Sequence, residues 1–267
     1  MTSINAAFSS LLKNYPNIYL IVSPPRCSST AFARVFWEHE SIRYYSHEPF
    51  ETTYYENKGL DDVYQKIETP LDLLPVKYNA TSRVPKDLVI KEMPYQVGKN
   101  FELAVSWAKK PITFLIRNPL LNIKSRINKK LEVGDSPVFP FQETGWELIN
   151  NQINHCKSKN IPYMIVDATD FRNKPEIIFR KVFERYGLEF SSKQLNWKAD
   201  KRIEIDNLAG AHTHLYEKVL GSKGIRPATE VVPNIESFTE EHNIRTHVRY
   251  CINIYEILRA DSNLIRI

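Results

Sequence analysis

The sequence contains little cysteine. Its 267 residues include three cysteines, Cys27, Cys156 and Cys251, which lie far apart and show no paired spacing. This scarcity excludes a disulfide framework and a cysteine zinc site, and it is typical of proteins in a reducing compartment. No apolar run reaches the length of a membrane span, and the first residues lack the basic start and apolar core of a signal peptide. We therefore expect a cytoplasmic protein with no membrane partner.

The sequence also lacks a strong excess of one charge sign. Lys and Arg number 36 against 31 Asp and Glu, which gives a formal net charge of +5. A balance this mild suits an anionic substrate or cofactor but is too weak to indicate nucleic acid binding. With 42% hydrophobic and 25% charged residues, the composition is that of an ordinary globular protein. The length favours a single α/β domain over residues 1–267, and the oligomeric state stays open.

One stretch, residues 18–36, organises the chain and reads IYLIVSPPRCSSTAFARVF. A β-branched run at 18–23 predicts a buried strand, and two prolines end it. A polar turn at 26–30 then leads into a predicted helix. Such a strand, turn and helix start form an anion cradle, because the first backbone N–H groups of the helix have no intrahelical partner. The motif is not the P-loop of nucleotide triphosphatases, since no Gly-Lys pair follows the strand.

Strand and helix patterns alternate along most of the chain. Further strands are predicted at 41–47, 87–91, 111–117 and 162–167. The predicted helices start near residue 2 and then cover 31–36, 60–67, 101–109, 119–131, 146–157, 175–186 and 235–264. This alternation predicts a three-layer α/β sandwich with a mainly parallel central sheet. The stretch 51–86 has a weak pattern and is interpreted as a loop-rich insertion.

Four charged side chains fall at the carboxyl ends of the predicted strands. They are Arg26, Glu48, Lys91 and Arg117. In parallel α/β sheets, ligands sit beyond the carboxyl ends of the strands. The sequence therefore predicts a single site at this edge of the sheet.

Two short motifs resemble those of sulfotransferases that use 3′-phosphoadenylyl sulfate (PAPS). Pro25–Thr30, reading PRCSST, resembles the loop that holds the 5′-phosphosulfate of PAPS. Arg117-Asn-Pro119 followed by Ser125 resembles the element that holds the 3′-phosphate. Both motifs occur in the family's order and spacing, so the resemblance is more specific than either motif alone.

The resemblance is weaker in the C-terminal segment, residues 190–267. Trp197, residues 214–216 and residues 220–224 are similar to the segment that closes over the cofactor in the family. By this resemblance, basic residues of that segment add charge at the 3′-phosphate, although such runs also occur in ordinary basic loops. The basic residues concerned are Lys223 and Arg226, which flank Gly224, and all three are expected to contact the cofactor.

The resemblance implies the P-loop-NTPase-like sulfotransferase fold. It also implies an enzyme that moves a sulfuryl group from PAPS to a hydroxyl or amine of a small-molecule or carbohydrate acceptor. PAPS is anionic at both ends and needs two anion sites: the first from Arg26, Cys27, Ser28, Ser29 and Thr30, the second from Arg117 and Ser125. Adenine stacking would fall to one of four tryptophans, each more often a core residue: Trp37, Trp107, Trp146 and Trp197. No metal is implied, because Arg and Lys supply the charge.

Sulfuryl transfer also needs groups for charge and for proton removal. Arg26 and Lys91 are the candidates for charge. His47 and Glu48 are the candidates for the base, and on a strand they would face opposite ways, so only one would point into the site. His47 has the more suitable ordinary pKa. Glu48 is favoured because Glu-Pro after the second strand resembles the segment with the catalytic glutamate in bacterial carbohydrate-type sulfotransferases.

The chain departs from the commonest family loop, Arg-Ser-Gly-Ser-Thr. Cys27 and Ser28 stand where that loop has Ser-Gly, and the loss of glycine narrows the available backbone angles. A cysteine at a helix N-terminus is expected to have a lowered pKa and to be open to oxidation, although the favoured interpretation is that Cys27 is simply small enough to fit. Two alternatives follow from these departures and from the uncertain base. They are a catalytically silent nucleotide-binding or regulatory protein of the same fold, and an atypical P-loop kinase.

Overall fold

The protein was analysed as a computed structural model that describes residues 2–77, 85–201, 203–205, 207–208, 211 and 213–267. The strands are β1 (Ile18–Val22), β2 (Ile42–His47), β3 (Leu71–Asp72), β4 (Asp87–Glu92), β5 (Ile112–Ile116) and β6 (Tyr163–Asp167). The helices are α1 (Thr2–Leu11), α2 (Ser29–Trp37), α3 (Glu51–Tyr55), α4 (Leu60–Glu68), α5 (Pro94–Val97), α6 (Phe101–Trp107), α7 (Pro119–Glu132), α8 (Trp146–Ser158), α9 (Ala168–Asn173), α10 (Pro175–Tyr186), α11 (Thr213–Leu220) and α12 (Ile244–Arg259).

The strands form one six-stranded sheet in the order β3-β2-β4-β1-β5-β6. The pairs of β1 with β4 and β5, of β2 with β4, and of β5 with β6 are parallel. The short edge strand β3 pairs antiparallel with β2. The predicted α/β fold with a mainly parallel sheet is confirmed.

Helices cover both faces of the sheet because its strands are apolar on both sides. In β1, Ile18, Leu20 and Val22 belong to one hydrophobic core, which also contains residues of α1, α6, α8 and α12. The alternate residues Tyr19 and Ile21 belong to the other, with residues of α2, α9, α10 and α11. Because successive side chains of a strand point to opposite faces of the sheet, β1 contributes to both hydrophobic cores. This is the three-layer arrangement that the sequence predicted.

The stretch 51–86 is more regular than its sequence pattern indicated. Its described part contains α3, α4 and β3, and residues 78–84 lie outside the described residues. The core side of α4 is Val63 and Ile67, both fully buried, and short segments like this one gain their stability from such tertiary burial. The helix predicted at 60–67 is present as α4, whereas α3 and β3 were not predicted.

No helix within the described ranges combines the length and the apolar character needed to cross a membrane.

Candidate active site

A cavity of about 1110 Å³ opens at the carboxyl edge of the sheet. Its wall contains Arg26 from the turn after β1, Glu48 after β2, Lys91 near the end of β4 and Arg117 after β5. The parallel pairing of these strands aligns their carboxyl ends, so residues that are distant in the chain meet here. The structure therefore places all four charged residues in one site.

The turn between β1 and α2 reaches the cavity through left-handed backbone. Arg26 has φ of +64° and Ser28 has φ of +58°, although neither is glycine. Ser28 stands directly before α2 and makes no side-chain capping hydrogen bond, while its carbonyl accepts the backbone N–H of Phe32 at 3.0 Å. Ser28, Ser29, Thr30 and Ala31 line the cavity, so the start of α2 faces its interior. An anion there would meet the first helical N–H groups and the positive end of the helix dipole.

The left-handed conformation of Ser28 leads to a stability prediction. We expect Ser28→Gly to raise the free energy of unfolding by about 1 kcal/mol, because glycine adopts this conformation without the Cβ penalty. Urea denaturation measures the change. Ser106→Gly is the matched control, since Ser106 lies within α6 and glycine there should cost about 0.5–1 kcal/mol. A loss of stability in Ser28→Gly would mean that the Ser28 hydroxyl, and not the backbone angle, governs this turn.

Cys27 does not face the cavity. Its side chain is fully buried, and its Sγ lies 3.8 Å from the Pro25 carbonyl oxygen and from Asn122 Nδ2. Burial raises the pKa of the Cys27 thiol to about 12. The expectation of a lowered pKa and easy oxidation is wrong, because removal from water outweighs the nearby helix N-terminus. Cys27 can offer a ligand only its backbone.

Arg117 and Arg26 form a cationic end of the cavity, which we call the distal anion site together with Ser125. Arg117 is 6% exposed, and its Nη1 donates to the Arg26 carbonyl at 3.0 Å. Arg26 Nε donates in turn to Ser125 Oγ at 3.2 Å. Burial, followed by the neighbouring charge of Arg117, lowers the pKa of Arg26. The sequence placed Arg26 and Ser125 at separate anion sites, whereas their side chains here contact one another.

Residues 223–230, which we call the strap, run along the distal anion site. Gly224 and Arg226 line the cavity, whereas Lys223 is exposed and is not among the lining residues. Gly224 pairs with Asn196, and a Cβ at Gly224 would lie 2.8 Å from the Leu195 carbonyl oxygen, so no larger residue fits. The structure thus supports a positioning role for Gly224, while the proximity of Lys223 to an anion site is not observed.

The strap also contributes a residue that the sequence analysis missed. Glu230 pairs with Arg117 Nη2 at 3.0 Å and with Arg172 Nη1 at 2.8 Å. Arg172 lies on α9, just beyond the carboxyl end of β6. Arg172 was also missed. Its position after the carboxyl end of a strand is the signal that would have selected it, because the four predicted charged residues also lie at strand ends.

Where β2 and β4 end, the cavity wall contains a buried ion pair between Glu48 and Lys91. Neither side chain is more than 1% exposed, and Lys91 Nζ donates to Glu48 Oε1. Gln96 Nε2 donates to Glu48 Oε2 at 2.8 Å, and His47 Nε2 lies 3.2 Å from Glu48 Oε1. Although burial by itself raises the pKa of Glu48, the charges of Lys91 and His47 outweigh it and hold that pKa below its ordinary range.

His47 and Glu48 do not follow strand alternation. β2 ends at His47, and Glu48 has φ of +45°, which turns its side chain back toward that of His47. Glu48 lines the cavity. The His47 ring instead forms a hydrogen bond with Tyr45, with 2.6 Å between His47 Nδ1 and Tyr45 Oη. Asn207 Nδ2 donates to the carbonyls of both residues, at 2.6 and 3.2 Å, and stabilises this turn. Of the two candidate bases, only Glu48 reaches the cavity.

Glu92, next to Lys91, is a second buried carboxyl in this region. It accepts the backbone N–H groups of Phe50 at 2.9 Å and Met93 at 2.7 Å. Burial and then the charge of Glu48 raise the pKa of Glu92 to about 8. The pKa values of Glu48 and Glu92 are therefore displaced in opposite directions, because Lys91 bonds directly to Glu48, whereas at Glu92 the charge of Lys91 does not overcome burial and the charge of Glu48.

The raised pKa of Glu92 gives stability a pH dependence. The ordinary pKa is 4.5, so the contribution of Glu92 is full below that pH and is lost as the pH rises toward about 8. We expect the difference in unfolding free energy between the wild type and Glu92→Gln to fall by up to about 1.4 kcal/mol per pH unit in this window. Urea denaturation at several pH values measures it, with the exposed Glu256→Gln as control. A pH-independent difference would mean that Glu92 is ionised throughout.

None of the four tryptophans lines the cavity. Each is at most 2% exposed, so the prediction that one of them stacks on adenine is not supported. The Arg34 guanidinium instead lies over the rings of Trp37 and Trp197, at 5.0 and 5.2 Å from their centroids. Aromatic side chains in the cavity wall are Tyr55, Tyr95, Phe139 and Tyr216.

Among the residues that the structure describes, no group of His, Cys, Asp and Glu is arranged to hold a metal ion.

Similar folds occur in solved sulfotransferase domains. No protein-family model and no curated protein matches the sequence. The sulfotransferase domain from the curacin biosynthetic pathway has a TM-score of 0.56 at 16% identity, covering 91% of this chain and 98% of that domain. The sulfotransferase domain from the Synechococcus PCC 7002 olefin synthase has a TM-score of 0.51 at 14% identity, covering 91% and 96%. The resemblance read from two short motifs is thereby confirmed for the fold: this chain has the sulfotransferase fold over nearly its whole length.

Proposed function

We propose that this protein is a sulfotransferase that moves the sulfuryl group of PAPS to a hydroxyl or amine of a small-molecule or carbohydrate acceptor. The observation that carries the proposal is the polarity of one cavity. Its wall holds Arg26, Arg117 and Ser125 at the distal anion site, and the buried pair Glu48 and Lys91 where β2 and β4 end. A donor with anionic groups at both ends matches the two anion-binding regions of this cavity, which are the distal anion site and the start of α2.

The two anion regions suit different parts of the donor. The 3′-phosphate would be held at the distal anion site, where Arg117 supplies a nearly buried guanidinium. The 5′-phosphosulfate would be held by the start of α2, where Ser29 and Thr30 line the cavity. Backbone N–H groups there can donate to phosphate or sulfate oxygens even though the turn contains no glycine.

The buried pair would carry out the transfer. The acceptor oxygen or nitrogen attacks sulfur, the bond between sulfur and the bridging phosphate oxygen breaks, and the acceptor proton moves to Glu48. Lys91 would stabilise charge on the sulfuryl oxygens. Because Lys91 holds the pKa of Glu48 low, Glu48 becomes an effective base only when Lys91 shifts its contact to the donor. A bound donor would thus activate the base.

The acceptor would enter beside this pair. The nearby cavity wall has aromatic and apolar side chains, and Tyr55 Oη lies 3.1 Å from Tyr95 Oη. Arg126, which pairs with Glu143, lies 4.6 Å from the ring of Phe139. Aromatic faces together with charged and hydroxyl groups suit small molecules or sugars with both apolar and polar surface.

Calorimetry with adenosine 3′,5′-bisphosphate, the product left after transfer, tests the proposal. We expect binding that needs no Mg²⁺ and that exceeds binding of ATP. Arg117→Ala should weaken it by about 10–100-fold, the loss expected for hydrogen bonds to a charged group. Arg249→Ala is the matched control, because Arg249 is 55% exposed and does not line the cavity.

The other outcomes identify the alternatives. Preference for Mg²⁺-ATP would contradict the proposal and favour an atypical kinase. Tight binding of the bisphosphate without transfer from PAPS to any acceptor in a broad panel would favour a catalytically silent nucleotide-binding protein.

A further inference from the structure

The distal anion site already contains a carboxylate from the chain itself. Glu230 Oε1 lies 3.0 Å from Arg117 Nη2 and 2.8 Å from Arg172 Nη1, and Arg172 Nη1 also donates to Oε2 at 3.0 Å. The Arg117 and Arg172 side chains are only 7% and 12% exposed. Two nearly buried guanidiniums that converge on one carboxylate oxygen have the arrangement in which proteins bind phosphate.

Arg172 links this carboxylate to the strap. Its Nε donates to the Arg226 carbonyl at 3.0 Å and its Nη2 to the Pro227 carbonyl at 2.7 Å. One planar side chain thus holds the backbone of the strap and its carboxylate together. If Glu230 leaves, Nη1 becomes available to another anion while the two backbone contacts can remain.

The local charge requires an anion at this position. Arg117 contacts the Arg26 carbonyl and shares Glu230 with Arg172, and burial followed by the charge of Arg117 already lowers the pKa of Arg26. Burial raises the pKa of Glu230, but Arg172 and Arg117 outweigh it and keep that pKa below its ordinary value. Glu230 is therefore a full negative charge at neutral pH. It is also 41% exposed, so it has a path into solvent that the two arginines lack.

We propose that Glu230 is an internal ligand of the distal anion site, which the far phosphate of an incoming nucleotide must displace from both Arg117 and Arg172. Arg172 is then a further binding residue for that phosphate. The identity of the nucleotide rests on the proposed function, whereas the competition between Glu230 and an anion does not. Because only chains with Glu230 displaced can bind, the apparent affinity is lowered by the fraction in which the site is free.

The experiment compares two adenine nucleotides by calorimetry. Glu230→Gln should tighten binding of adenosine 3′,5′-bisphosphate by about tenfold, because the amide is neutral and competes weakly. Binding of adenosine 5′-monophosphate, which has no 3′-phosphate, should change less than twofold. Arg172→Ala should weaken the bisphosphate by about tenfold or more and leave the monophosphate nearly unchanged. Glu236→Gln is the matched control, since Glu236 is 58% exposed and pairs with Arg245 outside the cavity.

Two results overturn the proposal. One is that Glu230→Gln and Glu230→Ala bind the bisphosphate no more tightly than the wild type, while thermal unfolding shows that both variants are folded. Glu230 would then only position the strap. The other is an equal gain for both nucleotides, which would mean a general charge effect and not competition at one phosphate.

A second experiment tests the competition between Glu230 and an anion even if the protein does not bind adenosine 3′,5′-bisphosphate. Inorganic phosphate should raise the melting temperature of Glu230→Gln more than that of the wild type, because the distal anion site is free only in the variant, whereas phosphate at the start of α2 would affect both proteins equally. An equal response in both proteins refutes the competition. Failure of both proteins to bind the bisphosphate, together with a phosphate response confined to the variant, would reject the sulfotransferase proposal alone.

Discussion

Glu48→Gln is expected to lose turnover by about 10²–10⁴-fold while it still binds adenosine 3′,5′-bisphosphate. The amide cannot accept the acceptor's proton, yet it keeps the size of the carboxyl and can still contact Lys91 and Gln96. The anion-binding residues Arg117 and Ser125 belong to the distal anion site and are unchanged. Initial rates with PAPS and an acceptor, next to calorimetry with the bisphosphate, measure the two effects separately.

The control for this variant is Glu102→Gln, whose side chain is 78% exposed on α6. Its rates should match the wild type. If Glu48→Gln kept its turnover while His47→Gln lost it, His47 would be the base, even though its side chain does not line the cavity.

Lys91→Met is expected to lose both stability and activity. The substitution leaves the Glu48 carboxylate buried without its cation, which costs about 3–5 kcal/mol of unfolding free energy. Turnover should fall by about 10²–10³-fold as well, because the charge on the sulfuryl oxygens loses its stabilising partner. Urea denaturation followed by circular dichroism measures the first effect, and initial rates measure the second.

A double variant distinguishes an ion pair from simple packing. Lys91→Met with Glu48→Gln should be more stable than the sum of the single losses predicts, since neither buried charge remains without a partner. Lys13→Met, at an exposed position, should change stability little. Additive losses in the double variant would contradict the assignment of Glu48 and Lys91 as a coupled pair.

The Glu48–Lys91 pair and the contact of Glu230 with the two arginines follow the same principle. In each, a cation that would serve the donor is neutralised by a carboxylate of the chain: Lys91 by Glu48, and Arg117 and Arg172 by Glu230. Buried charge needs a partner, so each site satisfies its cations internally. Under the two proposals, donor binding exchanges these internal contacts for contacts with the donor, and one of the released groups is the base.

The strands and longer helices could be predicted from sequence because their signals are local. The β-branched run at 18–23 became β1 (Ile18–Val22), and Pro175–Tyr186 forms a helix with the predicted bounds, between a favourable first proline and Gly187 in the left-handed conformation. The short elements α3, α9 and α11 were missed. Helices of this length gain most of their stability from the core that they cover, which a local pattern does not record.

The sequence by itself determined the fold class, the anion cradle after β1 and the convergence of charged strand ends on one edge. Each follows from residue types at short spacing, together with the general geometry of parallel sheets. Only the tertiary structure decided which charges pair. Glu48 and Lys91 are 43 residues apart, and Arg172 and Glu230 are 58 apart. Such pairs form because packing brings distant segments together and removes water, and the same burial raised the pKa of Cys27.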